Sequence, residues 1–143
     1  MDYLCLGFSG SARGEKKIAE YMAGLDMCAF VSDYDHNAPN AEHLKSTHFA
    51  LYETIRDKNP DVPYIMITHP SKGINEAVQR RRVVMESYIK ALDSGDKNVY
   101  FIDGDSLLAG DEYDGCTVDG CHPTDLGFYR MAKGLLAILK EIL

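Results

Sequence analysis

Four short apolar runs recur along the chain: YLCLGF (3–8), CAFVSDY (28–34), PYIMITH (63–69) and NVYFID (98–103). A strand with one wet face alternates polar and apolar residues, whereas a nearly continuous apolar run implies cover on both faces. Between these runs lie helical patterns near 14–25, 41–58 and 74–94, with a last one near 124–142. In that last stretch Leu135, Ile138, Leu139 and Ile142 fall at i, i+3, i+4 and i+7, the stripe of a core-facing helix. Asn59-Pro60 and Ser94-Gly95-Asp96 supply breakers behind two of the helices. Both-face-buried strands alternating with helices predict an α/β fold, a mainly parallel sheet between two helical layers. The 143 residues make one domain, without repeat or linker, long enough to bury roughly two thirds of the unfolded surface.

In such a sheet, ligands bind beyond the carboxyl ends of the strands. The segments that leave those ends are SGSARG (9–14), DHNAPN (35–40), HPSKG (69–73) and GDSLLAG (104–110), followed by a loop bearing Asp119 and His122. All are rich in small and polar residues. An imidazole titrates where a general base is useful, and a carboxylate nearby orients it and supports its cation. Asp119, three residues before His122, can fold back on that ring; otherwise the two are a turn former and a helix-start histidine. SGSARG can present backbone N–H groups to an anion, or be a plain tight turn. Asn37 offers a side-chain amide to an oxyanion, or closes an Asx-turn. His69 and Arg13 sit on the same edge and are candidate substrate contacts.

The net charge of −7 argues against a nucleic-acid partner and against an anionic membrane surface. The triplet Arg80-Arg81-Arg82 reads as a solvated helix face. No stretch approaches the ~20 apolar residues of a membrane span, and no signal peptide opens the sequence, so as it stands it reads as cytoplasmic. Cys5, Cys28, Cys116 and Cys121 are scattered, which suits reduced thiols better than a disulfide framework. Cys116, Cys121 and His122 lack a zinc spacing, so neither metal nor other cofactor is expected; a redox or metal site there would need a disulfide or a bound ion.

In order and rough spacing, LGFSGSARGE (6–15), VSDYDHNA (31–38) and VDGCHPTDLGFYRMA (118–132) resemble three blocks of the SGNH hydrolases, the GDSL-type esterases and acylhydrolases. The resemblance covers nearly the whole chain and implies a flavodoxin-like α/β/α sandwich. It also implies a Ser-His-Asp ester hydrolase without a cofactor, acting on a small-molecule, carbohydrate or lipid ester. In that scheme Gly10 gives a backbone N–H and Asn37 a side-chain N–H to the oxyanion. His122 is the base and Asp119 its orienting partner.

The nucleophile of the family stands in a Gly-Asp-Ser block after a first strand, upstream of the glycine block. This sequence opens on the strand leading into the glycine block, so the resemblance implies the C-terminal part of a longer hydrolase, lacking its first strand. The literal GDSL at 104–107 follows the fourth run, in the wrong order for that block, which counts against Ser106. Ser9 occupies a strand-to-helix turn, but a nucleophile elbow wants glycine where Ser11 stands. The absent strand would be central, between those bearing Gly10 and Asn37. Those strands would then pair directly or leave parallel edges that invite a second copy, so a homodimer or a rearranged sheet is expected. The alternative reading is a non-catalytic flavodoxin-like module that binds an anion or other ligand through SGSARG. A hydrogen-bonded Asp119–His122 pair facing Gly10 and Asn37 would count against it.

Overall fold

The computed structural model describes residues 2–70, 73–110 and 112–143. Three parallel strands, β1 (Phe30–Ser32), β2 (Tyr64–Ile67) and β3 (Val99–Ile102), pair in the order β1-β2-β3. Val31 lies opposite Ile65, and Ile65 opposite Tyr100. The helices are α1 (Lys16–Ala23), α2 (Ala41–Lys58), α3 (Ala77–Asp93), the single turn α4 (Gly104–Leu107) and α5 (Asp125–Ile142).

Alternation along β2 sorts its side chains by face. Tyr64 and Met66 enter a core built with α1, α2 and α3, where Leu44, Ile55 and Val84 are fully buried. Ile65 and Ile67 point the other way, onto Leu135, Ile138, Leu139 and Ile142 of α5. The fold is therefore the expected three-layer α/β arrangement, and the stripe read from 135–142 is its second hydrophobic contact.

Two local expectations are corrected. Residues 3–8 do not form a strand; they carry no regular structure until a turn at 8–11, and Tyr3 is 87% and Leu4 63% exposed. A strand exists only if a neighbour takes its backbone N–H and C=O groups, and among the described residues no strand pairs with these. Between them and the unpaired edge of β1 lies an open groove of about 790 Å³, whose walls also include Leu135 and Leu139 of α5.

The arginine triplet is not one solvated face. Arg80 is 4% exposed and donates to the carbonyls of Asp35 and Ala38 (2.9 Å to the latter). Arg81 pairs with Asp103 (3.2 Å) and with Asp105. Only Arg82 is exposed. The α3 face at Arg80 and Arg81 meets loop carbonyls and carboxylates, so these guanidiniums act as connectors. The helix expected near 124–142 is present as α5, which begins at Asp125 with Thr124 accepting from the N–H of Gly127 (3.3 Å) as its N-cap.

All four cysteines are free thiols. Among the described residues no helix is long and apolar enough to cross a membrane.

Candidate active site

The site is assembled from three loops at the carboxyl ends of the strands and from the turn at 8–11. Parallel strands put their exits on one edge, so the loops after β1 and β2 are neighbours. Asp35, 2% exposed, accepts the backbone N–H of His69 (3.0 Å) and so ties those two exits together. Burial pushes its carboxyl above the usual range, against the opposing pull of that N–H. Arg80 reaches in from α3 to take the carbonyls of Asp35 and Ala38, which fixes the loop bearing Asn37.

The loop before α5 is closed on itself. Val118 donates its N–H to the carbonyl of His122 (2.9 Å), and Thr117 bridges Pro123. Thr124 then donates to the carbonyl of Cys116 through its N–H (2.9 Å) and to that of Gly115 through its hydroxyl (2.8 Å). Gly127 packs so closely that an added Cβ would come within 2.2 Å of the Cys116 oxygen. The start of α5 is thereby pinned under the loop.

Within it, one carboxylate oxygen of Asp119 accepts the N–H groups of Cys121 (3.0 Å) and His122 (2.8 Å). The other oxygen meets His122 Nδ1 at 2.7 Å. Those N–H groups and the imidazole pull the Asp119 carboxyl down to about 2, so it is ionised at neutral pH. An ionised carboxylate only accepts, so the proton of neutral His122 sits on Nδ1 and Nε2 keeps its lone pair. With the His122 and Asp119 side chains 75% and 54% exposed, the base is open to an incoming molecule.

His122 lines a cleft of about 610 Å³ together with Ser9, Gly10, Asn37 and His69. Gly10 has φ +81°, and a Cβ built there would lie 3.7 Å from Asn37 Oδ1, so backbone and amide are adjacent. Phe8 (φ 50°) and Ser9 (φ 49°) are also left-handed, conformations that cost roughly 1–2 kcal/mol each for non-glycine residues. Strain is thus concentrated in the turn that lines the cleft.

The sequence candidates divide as follows. Gly10, Asn37, His69 and His122 share the cleft, with Asp119 behind His122; Arg13 lies on the groove beside β1 instead. Ser9 lines the cleft, but no hydrogen bond joins it to His122 among the described residues. Ser106 does not line it. Its hydroxyl donates to the Asp103 carbonyl (2.6 Å), and Asp103 caps α4 by accepting from the Asp105 N–H (3.2 Å). A Cβ on Gly104 would fall 2.0 Å from the Thr68 oxygen. The literal GDSL is therefore a tightly packed helical turn.

Sequence reading missed His36 and the side chain of Cys121 as cleft residues. Cys121 Sγ lies 3.1 Å from His36 Nε2, and the His36 and His69 rings are 4.5 Å apart between centroids. Burial holds the His36 imidazole below its usual range. Their one legible signal was position, since His36 and His69 follow adjacent strands.

Comparison with known proteins identifies a family and several similar structures. A model of the GDSL-like Lipase/Acylhydrolase family matches residues 1–140. A structure from Bacteroides ovatus, described as a GDSL-like lipase, is 30% identical with a TM-score of 0.81, over 93% of this chain and 41% of that one. The salicylyl-acyltransferase SsfX3 of a tetracycline biosynthetic pathway shares the fold at 14% identity and TM-score 0.74, over 90% of this chain and 42% of that one. A family two carbohydrate esterase from Clostridium thermocellum does so at 22% identity and TM-score 0.65, over 82% and 36%. The chain thus spans about two fifths of the length of these structures. No curated protein matches it.

Proposed function

The chain belongs to the GDSL-like lipase/acylhydrolase family, and from that premise we propose that it supplies the base and oxyanion half of a Ser-His-Asp ester hydrolase. The nucleophilic serine comes from outside residues 1–143. The observation that carries this reading is the 2.7 Å Asp119–His122 contact on a cleft shared with Gly10 and Asn37.

Each residue then has one task. The serine hydroxyl attacks the ester carbonyl while His122 Nε2 takes its proton, and Asp119 balances the imidazolium. The carbonyl oxygen becomes an oxyanion, received by the Gly10 N–H and the Asn37 amide. His122 returns the proton to the departing alcohol, and water releases the acyl group by the same steps in reverse order. No cofactor enters, because both proton transfers and the developing charge are served by these groups.

The groove beside β1 supports an external serine. It is bounded by residues 2–8 on one wall and by 28–34 on the other, and has the unpaired β1 edge along it. A parallel strand seated there would end near Gly10 and Asn37, where the attacking oxygen is needed. Substrates are esters of small acyl groups, carbohydrates or lipids, as the descriptions of the similar structures suggest for those proteins. The hydrogen-bonded Asp119–His122 pair, on a cleft shared with Gly10 and Asn37, counts against an anion-binding module.

The test is turnover of p-nitrophenyl acetate by the complete translation product of the gene. His122→Ala is expected to lower kcat by roughly 10³-fold or more, with Tm unchanged. Undiminished turnover in that variant would refute the assignment.

A further inference from the structure

We propose that His36, His69 and Cys121 bind a divalent transition metal, zinc foremost, which staples the base loop to the exits of β1 and β2. Cys121 Sγ lies 3.1 Å from His36 Nε2 and 3.9 Å from His69 Nε2. Donor atoms of all three residues fall within 4.8 Å of one another. Donors held at zinc–nitrogen and zinc–sulfur bond lengths around a tetrahedral ion are separated by roughly 3.3–3.8 Å. The cluster is therefore close to the required spacing before any ion arrives.

Its donor set is as informative as its spacing. Two imidazoles and a thiolate suit zinc, cobalt or copper, and are poor ligands for magnesium or calcium. Three protein donors leave a fourth position to water, on the side of the cleft that these residues line.

The histidines are held from behind. Asp35 grips the His69 backbone N–H, and Arg80 grips the Asp35 carbonyl immediately before His36. Cys121 rides on the tight 117–123 loop, its own N–H accepted by Asp119 (3.0 Å). Such backbone fixation reduces the ordering cost of binding. The ligands stand 52 and 85 residues from Cys121 in sequence, so no spacing motif could reveal them. Adjacency of β1 and β2 in the sheet brings them together. Binding replaces the Cys121 S–H bond by a metal–sulfur bond and releases one proton to solvent, with no change of oxidation state.

The test is a cobalt(II) titration of the purified chain on a Cys5→Ser/Cys28→Ser background, which removes the two exposed thiols elsewhere. One equivalent should bind, with a thiolate-to-cobalt charge-transfer band in the near ultraviolet, displaced by zinc, and the melting temperature should rise. Cys121→Ser should abolish the band and the thermal shift; His36→Ala and His69→Ala should each weaken binding at least about tenfold. No saturable uptake, or an unchanged spectrum and affinity in Cys121→Ser, would overturn the site and leave a thiol–imidazole hydrogen-bond cluster in its place.

Discussion

The two faces of the sheet are built from alternate residues of the same strands, yet one is closed and the other is not. On the α2–α3 side, Leu44, Met66 and Val84 have no exposed surface. On the α5 side, Leu135, Ile138, Leu139 and Ile142 stay half-buried, and the groove beside β1 opens onto Leu135 and Leu139. Apolar periodicity is equally clear on both. What differs is the neighbour: α2 and α3 pack on each other as well as on the sheet, whereas α5 has an open trough at its side. A hydrophobic stripe sets the direction in which a helix faces, and the number of elements around it sets how dry it becomes.

The contrast can be broken at several points. The largest effect is expected on the closed side from Arg80→Met, which leaves the Asp35 and Ala38 carbonyls without their buried donor. A loss of about 4 kcal/mol is expected, lowering the melting temperature by more than 10 °C in a thermal scan.

Leu44→Ala should follow at about 3 kcal/mol, the ordinary result of a cavity in a filled core. Chemical denaturation reads this directly. Leu139→Ala, on the open side, should lose about 1 kcal/mol, because its site is already partly wet. Equal losses at the two leucines would show that the faces do not differ.

Between these lies an effect of pH. His48 on α2 is 1% exposed, stacked on Tyr34 with centroids 5.6 Å apart, and burial pushes its imidazole down to about 4. The unfolded ring titrates near 6.5. Below that pH the unfolded chain gains a proton that the folded ring refuses, so the contribution of His48 to stability falls from pH 6.5 to about pH 4 and then levels. Asp33, whose carboxyl desolvation pushes up to about 7, pulls the opposite way over this range, so the effect is read as the difference between the parent and His48→Phe. That difference should change by about 3 kcal/mol across the window, and a pH-independent difference would mean that His48 is hydrated.

Much of this architecture was legible in the residues. The apolar runs at 28–34, 63–69 and 98–103 contain β1, β2 and β3, and the breakers at 59–60 and 94–96 stand behind α2 and α3. Asp119 and His122 were legible because their interaction is local, three residues apart across one turn. The run at 3–8 misled because strand propensity is realised only by pairing, and no run says who its partner is. Arg80 misled because a charge triplet has the same composition whether it meets water or buried carbonyls. The His36–His69–Cys121 cluster was invisible because its proximity comes from strand order, a property of the whole sheet.

The central claim is that the attacking serine is not among these residues, and fluorophosphonate labelling followed by mass mapping tests it most directly. The folded chain of residues 1–143 is expected to stay unlabelled. The complete gene product should take one adduct, on a serine outside this stretch, and His122→Ala should prevent it. An adduct on Ser9 or Ser106 of the chain alone would contradict the account and place the nucleophile inside it.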